Sequence, residues 1–246
     1  MYLFFDTETT GTPRNYKAPV TDLNNWPRLV QVAWILQDKN GNTIGKENFI
    51  IKPVGFTIPT EASNIHGITT THAQNIGVEL VMVLKRFCSH LDSSQYLIAH
   101  NISFDQNIMG AELIRSRINN SIPNKKLLCT MSSSINYCAI NGPYGYKWPK
   151  LIELHKKLFG YGFDGAHDAF GYKCHIKVFL GNAKKRLNLI IQRNIMAAHF
   201  NNDNYHYLIL LLNQRRGYIR RIKSQKYLSL FSSSFQNRSA YICFTI

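Results

Sequence analysis

The chain has 246 residues, 45% hydrophobic and 17% charged, which is the composition of a soluble globular protein long enough to bury a core. Its longest aliphatic run near the end, Leu208 to Leu212, is too short to cross a bilayer, which excludes a membrane span there. Lys and Arg outnumber Asp and Glu by 29 to 14, and the resulting net charge of +15 favours a polyanionic partner such as DNA or RNA.

The cysteines and the N-terminal residues indicate the cellular compartment of the protein. Five cysteines occur without a Cys-x-x-Cys pair or a compact metal-ligand spacing, so we expect reduced thiols rather than a disulfide framework. The N-terminus lacks the basic, apolar and small-residue pattern of a secretory signal. These features predict an intracellular, cytoplasmic protein with no membrane partner.

The first predicted strand ends in two carboxylates. Four large apolar residues, Tyr2 to Phe5, are typical of a strand buried on both faces, and Asp6 and Glu8 follow directly. Side chains at positions i and i+2 of a strand point the same way, so these two carboxylates should project together. Two like charges at that spacing are costly unless a cation lies between them.

Two more strands should complete an antiparallel meander with the first. Leu29 to Gln37 is predicted as a strand, Asn40 to Asn42 as a turn, and Phe49 to Ile51 as the partner strand. A short helix is expected to start at Ile58 to Ala62 and to run into Ile65 to Thr69.

The second half of this region alternates helices and strands. Helical spacing of apolar residues predicts a helix over Val78 to Leu91. Tyr96 to His100 is a short apolar strand, followed by a helix that starts at or just before Asp105. The remaining predictions are a strand at Leu127 to Thr130, a loop at Gly142 to Tyr146, a helix from Leu151 to Phe159 ended by Gly160, and a helix from about Gly165 to Leu180.

This order of elements predicts an α/β fold with a mixed sheet over residues 1–181. Residues 182–246 differ: eleven lysines and arginines stand against one acidic residue, Asp203, so +10 of the net charge of +15 lies in this basic C-terminal extension. The extension is equally consistent with a nucleic-acid-binding segment, a docking segment and an appendage without a selected fold.

Three acidic positions and one histidine suggest a single chemistry. Asp6 and Glu8 lie at the end of one predicted strand, Asp105 lies just past another, and His167 comes later in the chain. Carboxylate clusters of this kind bind hard cations, most simply Mg²⁺ or Mn²⁺. Two ions about 3.5–4 Å apart can activate water and stabilise the leaving oxygen of a phosphodiester, and a neutral histidine can take the proton of the water.

These residues resemble the 3′–5′ exonucleases of the DEDD class, histidine subtype, the family that includes the proofreading epsilon subunit of bacterial DNA polymerase III. The resemblance covers about residues 1–180. Phe5 to Gly11 matches the first motif almost letter for letter, and His100 to Asp105 matches the second. Ile65 to Thr69 resembles the segment that lies against the terminal nucleotides, and Ala166 to Ala169 begins the third motif.

The resemblance implies a ribonuclease-H-like mixed five-stranded sheet flanked by helices. It also implies that Asp6, Glu8 and Asp105 hold two metal ions and that His167 is the general base. The implied activity is hydrolysis from the 3′ end of DNA, at single strands or frayed ends, in proofreading or repair, with a polymerase subunit as a candidate partner. The residues that it places on the 3′ end are Thr7, Thr9, Thr10, Ile65, His66, Asn101 and Phe104.

One position departs from the family pattern. The family places a fourth metal-binding carboxylate five residues after the histidine, and this chain has Tyr172 there. A phenol with a pKa of about 10 is a poor ligand for Mg²⁺. Asp168, one helical turn earlier, is a candidate surrogate, although the helix dipole equally explains an acid at that position. The alternative function is therefore a catalytically impaired relative that binds nucleic acid or a polymerase without cleaving.

The aromatic residues are expected to have structural roles. Trp34, Trp148 and the tyrosines are predicted to pack in the interior rather than to stack on bases.

Overall fold

A five-stranded sheet lies at the centre of the computed structural model, which describes residues 1–162. Its order is β3-β2-β1-β4-β5, in which β2 is antiparallel to both of its neighbours, β3 and β1, and β4 and β5 are parallel to β1. The strands are β1 (Tyr2–Thr9), β2 (Leu29–Gln37), β3 (Thr43–Ile50), β4 (Tyr96–Ala99) and β5 (Lys126–Cys129). The predicted meander and mixed sheet are confirmed.

The central strand β1 is apolar on both faces because helices cover both sides of the sheet. Leu3 and Phe5 belong to the larger core, and the intervening Phe4 belongs to a second core on the opposite face. Burial of each such side chain stabilises the fold by about 1.5–3 kcal/mol. A strand enclosed in this way holds its register firmly, since a slip by one residue would exchange the two faces.

Seven α-helices surround the sheet within residues 1–162. Helices α3 and α4 contribute to the larger core, and α6 and α7 contribute to the second core. The helices are α1 (Thr60–His66), α2 (Thr70–Ile76), α3 (Leu80–Ser93), α4 (Ile102–Arg115), α5 (Thr130–Ser133), α6 (Ile135–Cys138) and α7 (Leu151–Phe159), with a short 3-10 turn at Ile122–Asn124. No helix in this part of the chain is long and apolar enough to cross a membrane.

Helix α7 has the bounds that its sequence predicts. Glu153 accepts a hydrogen bond from the backbone nitrogen of Lys150 at the start of the helix, at 2.7 Å. At its other end Gly160 adopts a left-handed conformation with φ 88°, where glycine carries no steric penalty. Both signals are local in sequence, and for that reason the bounds could be read from the chain.

Two predictions about residues 142–148 are wrong. The predicted loop is a two-stranded hairpin of β6 (Asn141–Gly142) and β7 (Gly145–Tyr146). Trp34 packs in the interior as expected, at 1% exposure, whereas Trp148 is 64% exposed, and Tyr144 and Tyr146 face solvent as well, contrary to the packing role predicted for them. The predicted helix at residues 165–180 and the extension at residues 182–246 lie outside the described residues.

Candidate active site

The end of strand β1 and the start of helix α4 meet because β4 is short. The pairing of β4 with β1 reaches only Phe4, opposite Ile98, so the next residues of β1 have no strand beside them on that side. After β4 the chain turns through Asn101, which has φ 72° and ψ 52°. Asparagine tolerates this left-handed conformation better than most residues, and the turn brings the first turn of α4 against β1.

Asp105 fills the space where the ladder between β1 and β4 has ended. Its Oδ1 accepts hydrogen bonds from the backbone nitrogen of Thr7 at 3.1 Å and from the Thr7 hydroxyl at 2.8 Å. The Asp105 side chain is only 3% exposed, so these two bonds hold a carboxyl group in the protein interior. The sequence motifs at positions 6–8 and 105 are therefore joined directly in the fold.

The surroundings of Asp105 oppose its negative charge. Burial raises the pKa of Asp105 well above its ordinary value, and the negative charge of Asp6 raises it further. The two hydrogen bonds from Thr7 act in the opposite direction. A buried carboxyl group beside a second acid can relieve this cost by taking up a proton or by binding a cation, so these residues fit a divalent metal ion.

The described residues form one close acidic pair rather than a complete metal cage. Asp6 interacts electrostatically with Asp105. No three Asp, Glu, His or Cys side chains within residues 1–162 are grouped so that they could hold a metal ion together, and Glu8 does not complete such a group. His167, Asp168 and Tyr172 lie outside the described residues, and their predicted roles remain predictions.

The threonines after Glu8 shape the loop that leaves β1. The Thr9 hydroxyl donates to the Gly11 carbonyl at 2.6 Å. Thr10 is joined to Arg28 twice, since its backbone nitrogen donates to the Arg28 carbonyl and its hydroxyl accepts from the Arg28 nitrogen, both at 3.0 Å. These side chains fix the backbone that the resemblance places beside the 3′ end of the substrate.

A buried ion network behind this loop was not predicted from the sequence. Oε1 of Glu112, a fully buried side chain, accepts from Arg28 Nε at 2.8 Å and from the Leu29 nitrogen at 3.0 Å, and it pairs with Arg115 at 3.0 Å. The Arg28 guanidinium also lies over the Phe56 ring, 4.4 Å from its centroid. The signal in the sequence was a lone glutamate inside the apolar stretch of α4.

His66 lies against the end of β1, close to the backbone of Thr9. It is buried, and its Nδ1 accepts a hydrogen bond from the Ile68 nitrogen at 3.1 Å. Burial lowers the pKa of His66, and the adjacent Thr9 backbone partly offsets this effect. Its Nε2 has no partner with full hydrogen-bond geometry among the described residues. The preceding Ile65 is exposed and offers an apolar surface.

The second motif also contributes structural contacts. Phe104 is half-buried against the larger core, with its ring 6.4 Å from that of Tyr16. Asn101 Oδ1 accepts a hydrogen bond from the Ser103 hydroxyl at 3.1 Å.

His100 connects β4 to its neighbours. Its Nδ1 lies 3.1 Å from the Thr130 hydroxyl and its Nε2 lies 3.0 Å from the Pro149 carbonyl. Because a carbonyl can only accept, Nε2 carries the proton in this arrangement.

Comparison with known proteins places these motifs in a family. The model of the exonuclease family, RNase_T, matches residues 3–171. The DNA polymerase III PolC-type protein of Streptococcus pyogenes serotype M2 is 35% identical over 114 residues, which is 46% of this chain and 7% of that protein.

Solved structures with the same fold include E. coli exonuclease I in complex with a dT13 oligonucleotide, with a TM-score of 0.59 and 22% identity over 85% of this chain and 45% of the other. The zinc-bound form of the E. coli exonuclease I complex with single-stranded DNA matches with a TM-score of 0.58 and 24% identity, over 85% and 44%. This chain therefore spans less than half of these structures and a small part of the polymerase.

Proposed function

The chain belongs to the exonuclease family whose model matches residues 3–171, and from that premise we propose that it is a metal-dependent 3′–5′ exonuclease acting on the 3′ end of DNA. The observation that carries the proposal is the pair formed by Asp6 and Asp105, in which Thr7 holds a buried carboxyl group beside a second acid. Two neighbouring acids, one of them buried, destabilise the metal-free fold. The same arrangement favours the binding of a cation.

Asp6 and Asp105 are the pair that would hold the metal, and Glu8 is the third carboxylate that the resemblance implies. Their carboxylate oxygens are ligands suited to Mg²⁺ or Mn²⁺. Two such ions, when bound, supply a nucleophilic water and stabilise the leaving oxygen of a phosphodiester. Thr7 orients Asp105 for this task, because its two hydrogen bonds fix the position of Oδ1.

His167 is the proposed general base. A neutral imidazole can accept the proton of the attacking water near neutral pH. Its position in the third sequence motif supports the role, and the family match extends through it.

The 3′ end of the substrate is proposed to lie along the loop that leaves β1. The backbone of Thr7, Thr9 and Thr10 lines this end of the strand, and hydrogen bonds with Gly11 and Arg28 hold the loop in place. Further contacts to the terminal sugar and base are assigned to Ile65, His66, Asn101 and Phe104.

DNA is the proposed substrate and a DNA polymerase a candidate partner. The net charge of +15 favours a polyanion, E. coli exonuclease I has been solved with an oligonucleotide, and the similar PolC-type protein is a DNA polymerase. Together these observations favour DNA over RNA.

A specific residue favours a second candidate, an impaired relative that binds nucleic acid or a polymerase without cleaving it. Tyr172 stands where the family has its fourth carboxylate, and the family match ends one residue before it. Asp168 would be the surrogate ligand if activity is retained. The two candidates differ in one measurable property, which is turnover.

The deciding experiment uses a 5′-labelled single-stranded oligonucleotide incubated with the full chain and Mg²⁺, Mn²⁺ or a chelator. Stepwise shortening from the 3′ end that stops with the chelator, and that is absent in the Asp6→Asn variant, is the expected result. Binding without shortening, even with Mn²⁺, would support the impaired relative. Internal cleavage would contradict both candidates.

A further inference from the structure

A hairpin near the candidate site presents aromatic side chains to solvent. We call β6, β7 and the residues up to Trp148 the aromatic hairpin (residues 141–148). Tyr144 at its tip is fully exposed, Tyr146 is 51% exposed, and Trp148 is 64% exposed. Three large aromatic side chains exposed within five residues form the kind of surface that marks a binding site rather than a core.

The aromatic hairpin is held in a fixed conformation. Gly142 pairs with Gly145, which leaves Pro143 and Tyr144 as a two-residue tip. Proline restricts the backbone before Tyr144, and Gly145 has φ 113°, which a side chain would disfavour. Lys147 closes the base of the hairpin, because its nitrogen donates to the Ile140 carbonyl at 2.9 Å and its Nζ pairs with Glu153 at 2.6 Å. A rigid display of this kind reduces the entropy lost on binding.

The aromatic hairpin is attached to the segment that leads into α4, the helix that carries Asp105. The carbonyl of Pro149, which follows Trp148 directly, accepts a hydrogen bond from His100 Nε2 at 3.0 Å. His100 lies between β4 and the left-handed turn at Asn101, from which α4 begins. The hairpin and Asp105 are therefore both connected to the segment that joins β4 to α4.

The charge around the aromatic hairpin fits a nucleic-acid strand. Residues 141–157 contain four lysines, at positions 147, 150, 156 and 157, against one acid, Glu153. Lys150, Lys156 and Lys157 are exposed. Aromatic faces beside lysines are the combination with which proteins bind single strands, because bases stack on the rings while the cations attract phosphates. Bases of a duplex are already stacked on one another and are not free to do this.

We propose that Tyr144, Tyr146 and Trp148 stack on unpaired bases of the strand whose 3′ end lies at the acidic pair, so that the aromatic hairpin selects single-stranded substrate. This inference rests on the proposed nuclease function for the direction of the strand. The stacking itself is a binding property and is measured without turnover.

The test measures binding of a labelled oligothymidylate to the full chain in a chelator, so that no hydrolysis occurs. Trp148→Ala and Tyr144→Ala should each weaken binding by about 5- to 150-fold, the effect of losing one stacked base. Trp148→Phe should retain most of the affinity, because a ring remains. Ile44→Ala is the matched control, because Ile44 is an exposed apolar residue on β3, an edge strand of the five-stranded sheet outside the aromatic hairpin. This variant should bind as the unaltered chain does. Thermal unfolding of each variant checks that it is folded.

An abasic strand separates stacking from contacts to phosphates. It keeps every phosphate and lacks the bases, so all three stacking contacts are lost, and the unaltered chain should bind it more weakly than the Trp148→Ala variant binds oligothymidylate. The alanine substitution should have no further effect on binding of the abasic strand.

The fluorescence of Trp148 provides an independent reading. Of the three tryptophans, Trp26 and Trp34 are buried and Trp148 is exposed. Quenching by iodide should therefore report mainly on Trp148. Oligothymidylate should protect it from iodide, and duplex DNA should not.

Two results would overturn the inference. Alanine variants that bind oligothymidylate as tightly as the unaltered chain would assign the aromatic hairpin to another partner, such as a protein. An equal loss of affinity for abasic and normal strands would remove stacking as the cause. A separate assay of exonuclease activity with Mn²⁺ distinguishes failure of this inference from failure of the nuclease proposal. A chain that is inactive but binds oligothymidylate through the aromatic hairpin contradicts only the nuclease proposal. An active chain with hairpin-independent binding contradicts only this inference.

Discussion

Thr7 donates two hydrogen bonds to a single oxygen of Asp105, although the two residues are 98 positions apart in the chain. One bond comes from the backbone and one from the side chain, so they differ in how they respond to substitution. The backbone bond depends on the short β4 strand, and the hydroxyl bond depends on the identity of residue 7. This relationship links the first and second sequence motifs and leads to the first two predictions.

Replacement of Thr7 by valine should misorient Asp105 while it preserves the shape of the side chain. A hydrogen bond to a charged group contributes about 1.5–3 kcal/mol, and its loss should weaken binding of Mn²⁺ and lower kcat. Thr7→Ser keeps the hydroxyl and should retain most of both properties. Calorimetric titration with Mn²⁺ and steady-state exonuclease kinetics measure the effects. Equal behaviour of the valine and serine variants would show that the backbone bond suffices.

Replacement of Asp105 by asparagine should stabilise the metal-free protein at neutral pH, on the order of 1 kcal/mol, and should abolish activity. Burial and Asp6 raise the pKa of Asp105 above that of the unfolded chain. Such a carboxyl group stabilises the fold below its unfolded pKa and loses this contribution as the pH rises through the folded pKa. Asparagine has no such dependence, and its Oδ1 can still accept from Thr7.

Thermal unfolding in a chelator over a series of pH values measures this effect. The unaltered chain should lose more stability than Asp105→Asn between mildly acidic and neutral pH, and added Mg²⁺ should stabilise the unaltered chain but not Asp105→Asn. Glu61→Gln, which removes an exposed carboxylate from α1, is the control and should follow the unaltered chain. A destabilised asparagine variant would mean that the charge on Asp105 contributes favourably to the fold.

Replacement of Glu112 by glutamine should destabilise the fold by about 3–5 kcal/mol, because it leaves the charges of Arg28 and Arg115 without their buried partner. Urea unfolding gives the free energy. Exonuclease activity should fall as well, since Arg28 holds Thr10 in place. Glu47→Gln, which removes the partner of the exposed Arg86, should cost no more than about 1 kcal/mol. Similar losses in both variants would argue against a special role for the buried network.

Replacement of Tyr172 by aspartate should raise the exonuclease rate by more than about 10-fold if the absent carboxylate is the main defect. Residues that merely support metal ligands already change activity by about 10- to 100-fold. Tyr172→Phe removes only the hydroxyl and should leave the rate unchanged. The rate with Mn²⁺, measured on a 5′-labelled strand, is the appropriate reading. An aspartate variant that is no faster would show that Asp168 or another group already supplies the ligand.

The sequence by itself determined the local elements and the chemical identity of the motifs. Strand β1 could be predicted because its apolar run and its acidic end are contiguous, and α7 because the signals at both of its ends lie within a few residues. The resemblance of Phe5 to Gly11 and of His100 to Asp105 to an exonuclease family rests likewise on neighbouring residues, and the family match confirms it.

Only the tertiary structure decided which of these residues meet. Asp105 reaches Thr7 because β4 ends before β1 does, and Glu112 becomes a buried ion partner because α4 packs against the start of β2. The sequence likewise could not distinguish Trp34 from Trp148, since the same side chain packs in a core or faces solvent according to what lies opposite it. Periodicity reports the conformation of a segment, whereas burial and charge pairing depend on distant segments that the fold brings together.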